Sequence, residues 1–204
     1  MDITMMLQGV MVGFSIAAPV GAIGLLCIQN TLSHGIMFGL VCGLGAATAD
    51  MMYGILVAVG MRSLASIMLS VRTPLSIFGG LFLIYLGLRK FWAKPATKVA
   101  QVSSKALIGA YIATFFLTLT NPATILDFMA LFTGLRVDVA GYEQGLSFVG
   151  GVFLGSACWW FLLSGAVGLF RKHISTRIIL WINYVAGVAI CSFGIWALAK
   201  AFVR

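Results

Sequence analysis

Long apolar stretches separated by short polar segments recur along the whole sequence. Six of them reach or approach the roughly 20 apolar residues that a transmembrane helix needs. They are Met5–Ile28, Ile36–Val59, Leu75–Leu88, Ala106–Leu135, Leu146–Phe170 and Ile178–Phe202. The third is short unless Phe91 and Trp92 extend it into the membrane interface. The pattern predicts an all-α membrane protein with six transmembrane helices.

The composition of the chain agrees with this prediction. Apolar residues make up 61% of it and charged residues only 9%, whereas a soluble domain has about 25% charged residues. Such a chain cannot cover a water-facing surface, so lipid must be its main solvent. The net charge of +8 does not indicate nucleic-acid binding, because the basic residues lie in short loops between spans, where they set topology.

The two halves of the chain resemble each other. Matched positions are Pro19 with Pro122, Thr48-Ala49 with Ser156-Ala157, Gly80 with Gly187, and Gly87 with Gly194. We predict one transmembrane domain with repeat 1 at about 1–92, a basic linker at 93–105 and repeat 2 at about 106–204. Because each half has an odd number of spans, the second half must be inverted relative to the first, as in many secondary transporters.

Charge in the loops predicts the orientation of the chain. The loops after the first, third and fifth spans carry Arg89, Lys90, Lys94, Lys98, Lys105, Arg171, Lys172 and Arg177. The opposite side carries fewer basic residues, namely Arg62, Arg72, Arg136, Lys200 and Arg204. The positive-inside rule then predicts a multi-pass protein of the bacterial inner membrane, with the basic side in the cytoplasm and both termini outside.

Two spans contain residues that interrupt a helix. In the first span Pro19 removes a backbone donor and Gly21 adds flexibility. In the fourth span Asn121 can cap a new half-helix, and Pro122 suits its first turn. Ordinary proline kinks are one reading. Because the interruptions occupy matching positions in the two halves, they instead favour broken helices 1 and 4 at a substrate site, where helix N-termini attract a carboxylate.

Two acids lie inside predicted spans, Asp50 and Asp127. An aspartate at the bilayer centre costs roughly 2.5–3.5 kcal/mol, so such a residue needs a role or a partner. Each shares a helix face with small residues, a pattern typical of close packing inside a bundle. These faces are Gly39, Gly43, Ala47, Asp50 and Gly54 in the second span, and Ala123, Asp127, Ala130 and Gly134 in the fourth. Either acid could serve a proton or an ammonium group, or form only an interhelical hydrogen bond.

Other polar and aromatic residues in the spans are less specific. Five polar residues could line a polar path or be ordinary interface residues, namely Gln29 and Asn30 at the end of the first span and Thr118, Thr120 and Thr124 beside the second break. We interpret Trp159 and Trp160 as interfacial or packing aromatics. The cysteines form no CxxC pair and no cluster with metal-ligand spacing, so we predict neither a metal site nor a cofactor. They are Cys27, Cys42, Cys158 and Cys191.

Several segments together resemble the lysine-exporter family of amino-acid exporters. They are Pro19–Gly21 with Gly24–Leu32, Gly43–Asp50 with Tyr53-Gly54, Tyr85–Leu88, and Asn121-Pro122 with Leu126-Asp127. The chain departs from many members at Ala22, where they have a second proline. The resemblance implies six helices, no enzymatic activity, and a transport site that includes Asp50, Asp127, Asn121, Pro19 and Pro122. An acid at the position of Asp127 resembles the branch that exports basic amino acids.

The resulting hypothesis is a secondary exporter that works by proton antiport and carries an amino acid, basic amino acids included, or a related small metabolite. The substrate carboxylate would meet the half-helix ends near Pro19 and Pro122, and its ammonium would meet Asp127. Asp50 would be the second acid or the proton carrier. Three alternatives remain open: a divalent metal exporter, a membrane thiol-redox carrier using Cys27 and Cys158, and a structural subunit. The sequence also leaves open a homo-oligomer.

Overall fold

The computed structural model of the chain is helical throughout the residues that it describes. These residues are 2–19, 21–58, 64–91, 103–135, 141–171 and 176–202. No strand occurs among them, which confirms the predicted all-α class. Most of the predicted basic linker 93–105 lies outside the described residues, as do Val59 and Trp92 at the predicted ends of two spans.

The described residues form helices that follow one another with short connections. In chain order they are α1 (Ile3–Ala17), α2 (Ala22–His34), α3 (Ile36–Ala58), α4 (Leu64–Phe91), α5 (Ser104–Leu119), α6 (Pro122–Leu135), α7 (Tyr142–Phe170) and α8 (Thr176–Phe202). The first and fourth predicted spans are each divided into two helices. The divisions lie at the interruptions that the sequence predicts.

Length and hydropathy identify membrane spans among these helices. Within the described residues α3, α7 and the segment Trp181–Ala199 of α8 are long and apolar enough to cross a membrane. The bent pair of α1 and α2 supplies a fourth span if it is counted as one. Shorter apolar helices cover Ser76–Leu88 and Ser104–Leu119. The structure is therefore that of a multi-pass membrane protein, and the count of six spans stays a prediction.

Helix α4 is longer than the predicted span at Leu75–Leu88. It begins at Leu64 and ends at Phe91, and Pro74 lies inside it. Hydropathy detects only the apolar part of a helix. It therefore predicts a span that begins at Leu75 and misses the more polar turns of α4 before it. Proline inside such a helix is tolerated because neighbouring groups can bond the backbone atoms that it leaves free.

The break in the first span is sharp. Helix α1 ends at Ala17, α2 begins at Ala22, and their axes are bent by 79°. Pro19 has no N–H with which to continue the ladder of α1. The N–H of Gly21 instead bonds the carbonyl of Pro19 at 2.9 Å, which closes a tight turn. Local chemistry therefore ends α1 near the middle of the span.

The small-residue face of α3 is buried, as its periodicity predicts. Its buried residues include Gly39, Gly43, Ala47, Asp50 and Gly54. Leu44, Met52 and Ile55 on the opposite face are exposed and suit contact with lipid. The matching prediction for α6 is wrong, because Asp127 and Ala130 are exposed. Ala123 and Asp127 on this face of α6 instead border a cavity.

Backbone contact between helices holds the bundle together. A Cβ atom on Gly9 of α1 would meet the carbonyl of Phe148 and the N–H of Val152 on α7. A Cβ on Gly151 of α7 would likewise meet the carbonyl of Met6. Helix α3 packs against both α7 and α5, and α4 packs against α8. Glycine allows this close approach, which stabilises helix pairs in a membrane through van der Waals contact.

Candidate functional site

A cavity of about 250 Å³ lies where the two broken spans meet. The described residues that line it are Ile16, Ala17, Pro19, Gly21, Ile23, Gly24, Asp50, Thr118, Asn121, Ala123, Thr124, Asp127, Trp160 and Phe193. Asp50 and Asp127, whose proximity the sequence could not establish, therefore border the same space. None of the described lining residues is basic, so the cavity presents carboxylates without a built-in cation.

The second break brings the start of α6 to the cavity. The side-chain Oδ1 of Asn121 accepts a hydrogen bond from the N–H of Ala123 at 3.2 Å, so Asn121 caps the helix. Its Nδ2 donates to the hydroxyl of Thr124 at 3.0 Å. Pro122 is the first residue of α6, as predicted. Asn121 and Thr124 both line the cavity. The positive, N-terminal end of the α6 dipole therefore lies at the cavity wall, beside these two hydrogen-bonded side chains.

Asp50 is almost completely buried, with 2% of its surface exposed. The hydroxyl of Ser156 on α7 donates to its Oδ2 at 2.6 Å. The indole Nε1 of Trp160 in turn donates to the hydroxyl of Ser156 at 3.1 Å. Because Trp160 occupies the oxygen of Ser156, the proton of Ser156 is directed at the carboxylate. A chain of hydrogen bonds therefore runs from Trp160, at the cavity wall, to Asp50.

Trp160 packs in the buried core, as its interpretation as a packing aromatic predicts, and it also acts as a hydrogen-bond donor. It is buried to 5% exposure near the middle of α7, lines the cavity and donates a hydrogen bond to Ser156. A tryptophan far from both ends of a long span, with serine four residues earlier on the same face, was the signal in the sequence. Its neighbour Trp159 is partly buried and contacts the edge of Phe14.

Trp160→Phe is expected to lower export about threefold to tenfold. The variant keeps an aromatic ring in the cavity wall and removes the N–H that orients Ser156, together with part of the indole volume, which the control variant loses as well. A hydrogen bond of this kind contributes about 0.5–1.5 kcal/mol, which corresponds to that range. Initial export rates in vesicles, normalised to protein amount, measure the effect. Trp159→Phe is the matched control and should stay within about twofold; an equal loss in both variants would contradict the role of the indole N–H.

Two further residues, Thr118 and Tyr53, act at the break in the fourth span. Thr118 is buried to 2% exposure and lines the cavity, and its hydroxyl has no hydrogen-bond partner among the described residues. It is therefore available to a bound molecule. The hydroxyl of Tyr53 donates to the carbonyl of Leu119 at 2.5 Å, and its ring stacks on Phe128 with centroids 4.9 Å apart. Tyr53 thus holds both α5 and α6, one on each side of the break.

The structure does not bring Asn30 to the cavity. Its side-chain Nδ2 lies 3.2 Å from the sulfur of Cys42 on α3, away from the lining residues. Cys27 and Cys42 are both fully buried. In the part of the chain that the structure describes, no three histidine, cysteine, aspartate or glutamate side chains come together as a metal site would require.

Apolar helices around a polar, broken-helix cavity define a multi-pass membrane protein with an internal site. The sequence profile of the LysE type translocator family matches residues 14–201, and the chain belongs to this family. This confirms the resemblance drawn from the sequence, and members of the family are transporters.

Two proteins of Bacillus subtilis (strain 168) are similar to the chain. The protein named "Putative amino acid efflux protein YcgF" is 25% identical over 195 residues, which cover 93% of each chain. The "Uncharacterized membrane protein YrhP" is 26% identical over 152 residues, covering 70% of this chain and 72% of that protein. No solved structure matches the chain.

Proposed function

We propose that this LysE type translocator exports an amino acid, with basic amino acids as its preferred class, in exchange for protons. One observation carries the proposal: Asp50 and Asp127 border one cavity, and no described lining residue is basic. A relative over nearly the whole chain is named for amino acid efflux. The cavity volume of about 250 Å³ lies below the roughly 300–1,000 Å³ of pockets for drug-sized ligands and suits a small metabolite.

The cavity has groups for each part of such a substrate. Gly21 is the N-cap residue of α2 and Asn121 caps α6, so the positive ends of two half-helices are available to the carboxylate. The free hydroxyl of Thr118 can bond the same end of the substrate. In this proposal Asp127, at the exposed edge, receives the ammonium group or a basic side chain. Asp50 carries the proton, since it is the more deeply buried acid.

Proton exchange removes an electrical cost of export. Moving one positive charge outward against an inside-negative membrane costs about 2.3 kcal/mol per 100 mV. Entry of one proton for each exported cation cancels this term. A buried carboxylate that bonds one serine hydroxyl and no described lining cation can take up and release a proton without breaking an ion pair. These properties support Asp50 as the coupling group.

We also propose that six spans form two inverted repeats, with both termini outside the inner membrane. The contacts between glycines support this arrangement. A Cβ on Gly80 would meet the carbonyl of Gly194, and a Cβ on Gly87 would meet the carbonyl of Gly187. The repeat match pairs Gly80 with Gly187 and Gly87 with Gly194. When each glycine is replaced by its match, the contact between Gly80 and Gly194 becomes the contact between Gly187 and Gly87. The repeat match also pairs α1 with α5 and α7 with α3. It therefore turns the packing of α1 against α7 into the packing of α5 against α3.

Asp127→Asn is expected to lower release of a basic amino acid at least tenfold while the folded protein still reaches the membrane. The change removes the charge that faces the substrate but keeps the shape of an exposed side chain. Cells that express the protein are fed dipeptides, and each released amino acid is measured against empty and Asp127→Asn controls. If the variant still releases a neutral amino acid at an unchanged rate, the role of Asp127 is to select substrates by charge.

The same experiment separates the proposal from its main rival. Two carboxylates and Asn121 also offer the oxygen ligands that hard divalent cations prefer. If expressing cells release no amino acid while the protein is present in the membrane, amino-acid export is refuted. Tolerance of the cells to added divalent metals then tests the rival directly.

A further inference from the structure

A group of polar side chains lies between α2 and α8, outside the cavity. The amide Nε2 of Gln29 donates to Oδ1 of Asn183 at 3.1 Å, and the hydroxyl of Ser33 donates to the same oxygen at 3.1 Å. Gln29 is 1% exposed and Asn183 is 4% exposed. From the cavity residue Gly24, these side chains lie toward the end of α2 that precedes the loop on the predicted basic side. We call Gln29, Ser33 and Asn183 the amide cluster.

The amide cluster is not arranged for stability alone. The Oε1 atom of Gln29 is buried and has no hydrogen-bond partner among the described residues. Buried polar atoms are almost always paired, so an unpaired acceptor calls for an explanation. Polar residues inside a membrane bundle commonly mark the path of a transported molecule. The free acceptor of Gln29 is suited to an ammonium group, and the amide N–H groups are suited to a carboxylate.

The chain bends at both ends of helix α2. The break at Pro19 and Gly21 precedes it. At its other end Gly35 adopts φ +105°, a backbone conformation that favours glycine. Nε of Arg171 donates to the carbonyl of Leu32 at 2.8 Å and ties this end to α7. Short segments between two points of bending are typical of moving parts in proteins.

The path from the cavity toward this end of α2 is closed. On the faces of α2 and α8 that carry the amide cluster, the side chains between it and the cavity are buried, namely Leu26, Ala186 and Ile190. Two other residues that line the cavity, Asp127 and Phe193, are exposed. Buried side chains therefore seal the cavity on the side of the amide cluster.

We infer that the amide cluster is a second polar site on the substrate path and that its mutual hydrogen bonds close that path in the present conformation. The inference rests on the proposed function. During transport α2 separates from α8, and the groups that bond each other here bond the head group of the passing amino acid. Interhelical hydrogen bonds in membranes are weak, each shifting an equilibrium about threefold on average. Bonds this weak can keep the path closed and still break when α2 separates from α8.

The test measures how readily the sealed path opens. Ala186→Cys, introduced after replacement of the four native cysteines, is a small change at a buried side chain of α8 on the face of the amide cluster. Labelling by a membrane-impermeant maleimide is followed from each face, in spheroplasts and in inverted vesicles. From the sealed face, Gln29→Met and Ser33→Ala should each speed labelling about threefold, because each loses one hydrogen bond. Asn183→Leu loses both and should speed it about eightfold.

Controls separate a gate from a general loosening. Ser192→Ala removes an exposed hydroxyl of α8 that bonds only its own helix, to the carbonyl of Val188, and should leave labelling unchanged. Labelling that rises equally from both faces, or no faster in Asn183→Leu than in Ser192→Ala, would overturn the inference. If Asn183→Leu does not accumulate in the membrane, the milder Ser33→Ala decides the question alone.

A transport measurement tests the contact with substrate. Gln29→Met should raise the half-saturating concentration of the exported amino acid on the sealed side about threefold, because a contact on the entry path is lost. An unchanged value would overturn the substrate contact and leave only the gate. The labelling experiment needs no substrate, so it stands even if the chain exports no amino acid and the proposed function fails.

Discussion

Asp50→Asn is expected to abolish proton-driven export while exchange of labelled for unlabelled substrate continues. Asparagine has nearly the same shape and can still accept the hydrogen bond from Ser156, so the packing of α3 against α7 is kept. What is lost is the group that takes up and releases the proton. Without proton entry, the outward gradient of a monovalent cation should fall about fiftyfold at 100 mV, since the full electrical cost returns.

Reconstituted vesicles measure both activities of this variant. Net export is driven by an imposed pH gradient, and exchange is measured with labelled substrate on one side and no gradient. Asp2→Asn is the control, because Asp2 is an acid that caps α1 and lies outside the cavity. Loss of exchange together with net export in a correctly folded Asp50→Asn would assign the residue to substrate binding. Full net export in that variant would refute a proton role.

Gly151→Ala is expected to destabilise the protein strongly, whereas Gly150→Ala should not. A methyl group on Gly151 would meet the carbonyl of Met6 and come within 2.9 Å of the N–H of Val10. Both are backbone atoms of α1, so the whole helix must move away from α7. Overpacking of this kind costs about 1–3 kcal/mol and occasionally more. The neighbouring Gly150 has open space at the same position.

The two glycines form a matched pair inside one helix. Alanine favours a helix over glycine by about 0.8–1.0 kcal/mol at either position, so propensity alone predicts equal and slightly stabilising effects. Thermal unfolding in detergent, followed by loss of monodisperse protein, should show a clear drop for Gly151→Ala and none for Gly150→Ala. Similar transitions for both variants would show that α1 and α7 approach less closely than the structure indicates.

The cavity could be predicted from the sequence only in part. The residues that interrupt the spans and the two acids stand out because each is locally unusual in an apolar helix. Ser156 does not stand out, because serine is common in membrane helices and its role depends on a partner on another helix. Asn30 appeared as good a candidate as Thr124, but the structure directs it to Cys42. Which of two polar residues faces a cavity depends on how helices are rotated against each other.

The sequence by itself determined the all-α class, the positions of the helix breaks, the buried face of α3 and the family. These depend on composition, on the missing N–H of proline and on a period of 3.6 residues, all of which are local. Only the tertiary structure decided that Asp50 and Asp127 share one cavity, that Trp160 reaches Asp50 through Ser156, and that α6 exposes its acid. These features join residues far apart in the chain, so they arise from packing between helices and leave no periodic signal along it.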